Sequence, residues 1–464
     1  MVDNLIADAV FNSSVEALRE FVSIPFVSNL NNFDPELMNR SVEFVGANFS
    51  KLGFKVEIVN AEREDGSPGN KALIGTLGAG QNGEIDPMKK TVLLYAHHDV
   101  QPVQAPENWV TEPFSATVYG QRMYGRGAAD DGAGIVAHLG AVRNFRENNE
   151  QLPVNVKVFI EGEEEIGSPS FANFLKAYRE KLQADVIIVA DSGNWAVGVP
   201  SITTSLRGVA TIRLELQVLK HDVHSGMSSG PILDANLLLM KTLSTIHNAT
   251  GEVVVPGLLG AFGNRIPEPL VDYTDDEFRR DNGILEGVEL AGSGTITGRV
   301  WVKPSVCVIG FDAVPTAKSS NVLASKSAAV LSLRVVPGQD PDEAANALIE
   351  YLKSQVPFGA KLDAILEESG PAFQADVNSF AAVAFKDALE ESFGAGVVYS
   401  GMGGSIPFTA DLKKVFPEAE VLISGVEDPD SRAHSDNESV HLGDLRKVIG
   451  AEYLLLKKIG VNNE

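Results

Sequence analysis

Through the first part of the chain, short apolar runs of strand length alternate with longer segments of helical period. The strand candidates are VEIVN (56–60), ALIGTL (72–77), TVLLYA (91–96), VKVFI (156–160) and DVIIVA (185–190). Between them lie segments 35–52, 132–148 and 169–182, whose apolar positions recur at helical spacing. Both faces of the strands are apolar, the pattern of a parallel sheet covered by helices, and the βαβ alternation predicts an open α/β domain.

After Ser205 the pattern changes. Residues 207–219 (RGVATIRLELQVL) alternate apolar and polar, as a half-buried strand of an antiparallel sheet does. A helix over 231–247, a Gly/Pro-punctuated region (250–325), a second alternating strand (328–336), a helix (340–354) and a strand (360–367) follow. From about 372 the first style returns, with a helix at 377–393, the strand AEVLISG (419–425) and a C-terminal helix at 441–459. The prediction is an α/β fold: an open, mostly parallel sheet interrupted by an inserted α+β lid/dimerisation domain. The catalytic domain would comprise 1–205 and 371–464, and the lid 206–370.

Charge narrows the partners. The 464 residues carry 38 Lys and Arg against 62 Asp and Glu, a formal charge of −24. Binding to a phosphate backbone or an anionic membrane needs clustered cations, so nucleic acid and membrane partners are not expected. The single cysteine, Cys307, leaves no internal disulfide and no thiolate zinc finger, and suits a reducing compartment. The N-terminus lacks a basic, then apolar leader, and no run reaches the ~18 apolar residues of a span. A cytoplasmic protein is expected.

The chemistry gathers where strands end. TVLLYA runs into His97-His98-Asp99, VKVFI into Glu161-Gly162-Glu163-Glu164-Glu165, and DVIIVA into Asp191; VLISG leads towards His434. In open α/β sheets, ligands sit at the carboxyl ends of strands. Carboxylates converging there repel one another unless cations lie between them. A His and carboxylate set suits zinc, manganese or cobalt, whereas calcium prefers all-oxygen shells. In an extended segment His97 and Asp99 share a side, so Asp99 can hold the imidazole through its second nitrogen. Adjacent Glu164 and Glu165 can divide the work of general base and ligand. His98, His138, His221, His247 and His441 are read as ordinary core or loop histidines. The Gly-rich YGRGAADDGAG (124–134) has no phosphate-loop lysine, and its paired aspartates would repel phosphate.

Seven motifs stand in order: AHHDVQP (96–102), YGRGAADD (124–131), EGEEEIGS (161–168), VADS (189–192), DVHSG (222–226), GGSIP (403–407) and AHSDNE (433–438). Together they resemble the dinuclear-metal exopeptidase family of carnosinase-like dipeptidases, glutamate carboxypeptidase, aminoacylase and succinyl-diaminopimelate desuccinylase, over essentially the whole chain. The resemblance implies two divalent ions, zinc in the first instance, bridged by Asp130. His97 and Asp191 would complete one site, Glu165 and His434 the other. Glu164 would be general base on a bridging water, and Asp99 would orient His97. A cis peptide is implied at Asp130-Asp131. His224 would reach a partner's active site in a homodimer formed through the lid, Arg334 would bind the substrate's carboxylate, and Gly404 and Ser405 would touch substrate. Gly132 departs from the family, which often has lysine or a similar residue there.

Asp191, rather than the glutamate of several acyl-amino-acid enzymes, and the long lid with VPGLLG (255–260) and WVKP (301–304) are similar to the dipeptidase branch. The expected reaction is hydrolysis of a dipeptide with a free carboxylate. The alternatives are an N-acyl-amino-acid amidohydrolase or desuccinylase and, in another class, an inactive metal-binding scaffold.

Overall fold

The strand candidates of the N-terminal half pair into one sheet, most of them with apolar side chains on both faces. In the computed structural model, which describes residues 5–28, 34–63, 65–260, 269–404 and 407–461, Thr91–His97 runs parallel to both Asn155–Glu161 and Val186–Val189. Val186–Val189 is parallel in turn to Glu420–Ile423. Even-numbered side chains of the central strand, Val92, Leu94 and Ala96, join the main core. Tyr95 points the other way, into an aromatic group with Phe159, Phe171 and Phe408. These strands are buried on both faces, as the sequence predicts. VEIVN and ALIGTL are the exceptions to the parallel pattern: Ala72–Leu77 pairs antiparallel with both its neighbours, and Lys55–Val59 is an antiparallel edge strand with no buried residue.

The main core is closed by the helices Asp8–Val22, Pro35–Lys51, Gly132–Glu147, Phe380–Phe393 and Leu442–Val461. Gly132–Glu147 is buried along nearly its whole length. Gly140 explains the fit, since a Cβ there would stand 2.9 Å from Ile449 Cγ2 and 2.9 Å from Ser14 Oγ. The segment 169–182 is two short helices, Phe171–Ala177 and Arg179–Leu182, because Tyr178 leaves the helical region (φ −116°, ψ 22°).

Residues 1–204, 375–400 and 408–464 form one unit, and 205–374 with 401–407 the other. The second unit holds a four-stranded antiparallel sheet in the order Ser305–Phe311, Lys326–Val335, Gly208–Gln217, Lys361–Gly370. It keeps the alternation of its sequence: Ala210, Ile212, Leu214 and Leu216 join Leu331, Leu333 and Val335 in a separate core. The helices Ala235–Leu243 and Pro341–Gln355 contribute Leu238, Leu239, Leu348 and Leu352 to it. Ser305–Phe311 lay hidden in the Gly/Pro-punctuated stretch because it is an edge strand, exposed over Cys307, Val308 and Ile309 and bulged at Val308/Gly310. Among the described residues no helix is long and apolar enough to cross a membrane.

Candidate metal centre

Every candidate metal ligand lies in the first unit, where the parallel strands end. His97 is the last residue of its strand, and Asp191 follows Val186–Val189 by two residues. Glu164 and Glu165 open a short 3-10 turn after Asn155–Glu161. His434 lies in the loop between Glu420–Ile423 and Ser439–His441. Asp130 ends the glycine-rich segment before the helix Gly132–Glu147, and its peptide bond to Asp131 is cis.

These side chains converge on Asp130. Its Oδ1 is 2.9 Å from His97 Nε2, and its Oδ2 is 2.9 Å from His434 Nε2. The same His434 nitrogen stands 3.1 Å from Glu165 Oε2. Two triads result, His97/Asp130/Asp191 and Asp130/Glu165/His434, each with its donor atoms within 4.8 Å of one another. Each carboxylate oxygen of Asp130 thus faces a different histidine, the arrangement a bridging ligand requires.

The run Glu161 to Glu165 divides its labour. Glu161 takes hydrogen bonds from Tyr95 and, at 3.1 Å, from Ser168. Glu163 is held by Arg63 Nη2 at 2.6 Å, by the Asn70 backbone N–H at 2.9 Å and by Ser170. These two carboxylates tie the turn down, leaving Glu164 and Glu165 at the centre. Gln101 and the Asp99 carboxylate steady Glu165: Gln101 Nε2 donates to its Oε2 at 2.7 Å, and its backbone N–H donates to Asp99 Oδ2 at 3.1 Å. Asp99 holds His97 in a manner the i, i+2 spacing did not specify. Nδ1 of His97 lies 3.0 Å from the Asp99 main-chain carbonyl, with the carboxylate behind it at 3.4 Å.

The electrostatics are those of crowded acids. Burial, then the charge of Asp191, pushes Glu164 well above the carboxylate range. Burial and Asp130 push Glu165 up to about 7, and burial raises Asp191 to about 6. Hydrogen bonds to Asp130 and Glu165 take His434 up to about 11. For His97 burial opposes the charge, but its bonds to Asp130 and Asp99 prevail and its pKa is raised well above the ordinary value. Glu427, which sequence reasoning did not single out, is likewise raised by burial and by Asp130 and Asp191. Its backbone pairs with Gly193, two residues beyond Asp191. Protons sit where cations would relieve the repulsion. The donor set, two imidazoles with buried carboxylates and no thiolate, fits divalent zinc, manganese or cobalt.

The other candidates belong to the second unit. His224 is exposed on the two-residue strand Val223–His224, and Arg334 is half-buried on Lys326–Val335. Gly404 is exposed, and Ser405 lies outside the described residues. Arg207, which the sequence did not flag, donates through Nε to the Gly403 carbonyl at 3.1 Å. Burial and the neighbouring charge of Arg334 lower Arg207 to about 10. Among the described residues the Arg334 guanidinium makes no hydrogen bond or ion pair. Of the histidines read as ordinary, His98 bonds Ser41 Oγ and the Lys71 carbonyl, and His138 bonds Glu452 and the Tyr95 carbonyl.

Residues 93–458 match the description "Peptidase family M20/M25/M40". The chain is 35% identical over 374 residues to a cysteinylglycine-S-conjugate dipeptidase of Corynebacterium striatum, covering 80% of this chain and 81% of that protein. A Cys-Gly metallodipeptidase of Schizosaccharomyces pombe is 28% identical over 450 residues, 94% of this chain and 93% of its own. Among solved structures, an M20 family metallo-carboxypeptidase from Sulfolobus solfataricus is 26% identical with a TM-score of 0.79, covering 97% and 99% of the two chains. Human carnosine dipeptidase 1, at 22% identity and a TM-score of 0.76 over 98% and 97%, shares the fold.

The raised carboxyls set the pH response of metal-free protein. A group with a higher pKa folded than unfolded binds more protons when folded, so stability falls as pH rises between the two values. For Glu165 that interval is 4.5 to about 7, for Asp191 3.8 to about 6, and for His434 6.5 to about 11. Melting temperatures in chelator should therefore fall from pH 5 to pH 8, and restoring a divalent metal should remove most of that slope. A melting temperature that climbs over this range without metal would contradict the account.

Proposed function

The chain belongs to peptidase family M20/M25/M40, and from that premise we propose that it hydrolyses the amide bond of dipeptides with two divalent metal ions in the centre described above. The observation that carries the reading is Asp130, whose two oxygens each face a different histidine. Zinc is the proposed metal, with manganese or cobalt able to replace it. When bound, such ions polarise the scissile carbonyl and acidify a water molecule.

The chain's own groups do the rest. Glu164 lies in the site without being part of either triad, and is the proposed general base. It takes a proton from the attacking water and delivers it to the leaving amine. Asp99 orients His97 and, through the Glu165 backbone N–H, ties the two triads together. The Arg334 fork, unpaired among the described residues and with Arg207 beside it, suits the free carboxylate of the substrate. Gly404 and Ser405 are proposed to touch the substrate, and His224 to serve the active site of a partner in a homodimer formed through the second unit. Residues 1–205 and 371–464 are proposed as the catalytic domain, 206–370 as lid and dimerisation domain, in a cytoplasmic enzyme.

Glu164→Gln should lower kcat by about 10²- to 10⁴-fold while metal content measured by elemental analysis stays the same. A screen of dipeptides against N-acetyl and N-succinyl amino acids should show turnover of dipeptides; turnover of acyl substrates alone would sink the dipeptidase reading. Arg334→Met should raise KM by roughly 10- to 100-fold for free dipeptides, the loss of about 1.5–3 kcal/mol from a charged hydrogen bond. Dipeptide amides should bind weakly to wild type and variant alike. Sedimentation should find a dimer, and full activity in a strict monomer would contradict the role given to His224.

A further inference from the structure

Two motif residues stand outside the metal chemistry, Arg126 of YGRGAADD and Glu438 of AHSDNE. They are 312 positions apart and form one ion pair, Arg126 Nη1 to Glu438 Oε2 at 2.7 Å. Both are buried in the first unit, at 2% and 0% exposure. A buried pair costs nearly as much in desolvation as it returns in attraction, so it contributes little net stability, and its worth lies in the geometry it imposes.

That geometry concerns the ligands. Glu438 Oε1 accepts the backbone N–H of Ala129 at 2.9 Å and of Asp130 itself at 3.1 Å, while Oε2 accepts that of Gly127 at 3.1 Å. Three N–H groups and a guanidinium converge on one side chain, and only a carboxylate has acceptor sites for all four. An anion at this place would repel Asp130, and Arg126 offsets it. The guanidinium then reaches on: Nη2 donates to the Ser435 carbonyl at 3.1 Å, the residue after His434. His434 itself stands at φ +63°, a left-handed conformation uncommon outside glycine that surrounding contacts must hold.

Resting on the dinuclear reading, we propose that Arg126 and Glu438 are positioning residues behind the metal ligands, Glu438 for both sites and Arg126 for the site that includes His434. Glu438 fixes the shared ligand Asp130, and Arg126 extends the same support to the loop that presents His434. Support of this kind behind metal ligands is worth roughly 10- to 100-fold in affinity.

The two residues therefore carry different signatures. In full-length protein loaded with cobalt, chelator competition followed by visible absorption should resolve two release steps in the wild type. Arg126→Lys keeps a cation for Glu438 but cannot span to Ser435, so it should weaken one of the two release steps, that of the His434 site, roughly 10- to 100-fold and leave the other unchanged. Glu438→Gln loses acceptors beneath Asp130, common to both triads, and should weaken both steps by at least about 10-fold. Circular dichroism of each metal-free variant checks the fold; if Glu438→Gln does not fold, Arg126→Lys alone decides. Unchanged affinities in Arg126→Lys, or equal losses at both steps, would overturn the proposal while the dinuclear reading stands. A wild type that binds fewer than two ions would overturn that reading, and this proposal with it.

Discussion

The structure of the first unit is governed by one repulsion. Asp130, Glu164, Glu165 and Asp191 are brought together beneath two histidines, and desolvation strengthens every like-charge interaction among them. No hydrophobic burial of neighbouring side chains removes that conflict; only protons or cations do. The net charge of −24 thus has a local counterpart that positive ions, not dispersion over the surface, must balance.

Such a cluster needs rigid supports, and they come from side chains turned away from the centre. Glu161 and Glu163 anchor their own loop through Tyr95, Ser168, Arg63 and Ser170. Asp99 reaches from His97 to Glu165, and Glu438 grips the turn of Asp130. More carboxylates brace the candidate ligands than stand among them. Each takes hydrogen bonds from donors that a metal would not displace, so the framework stands apart from whether the ions are bound.

Much of this was legible in the chain because two periodicities speak plainly. Period-two alternation located Gly208–Gln217 and Lys326–Val335, and fully apolar runs located the parallel strands whose last residues are His97 and, soon after, Asp191. The direction of each acid in the Glu161–Glu165 run was not legible in full, since a 3-10 turn and Gly167 at φ +83° decide it. Arg63, Gln101, Arg126 and Glu438 escaped assignment because their partners are distant in sequence. Ser305–Phe311 escaped because this edge strand, exposed over Cys307, Val308 and Ile309, buries little beyond Val306 and so shows no clear period. Lys55–Val59, likewise at the edge of its sheet, has no buried residue.

The strand Glu420–Ile423 lies between Val186–Val189 and Ser201–Leu206, although it is made long after both. During synthesis the ribosome therefore delivers most of the sheet with an open slot, and one flank of Val186–Val189 keeps its backbone groups unpaired until the last part of the chain emerges. An exposed strand edge of this kind invites pairing with foreign strands. His434 follows the late strand, so the centre cannot assemble before the slot is filled. The centre thus depends on a late-made part of the fold, and until that part is in place the open strand edge is an aggregation hazard.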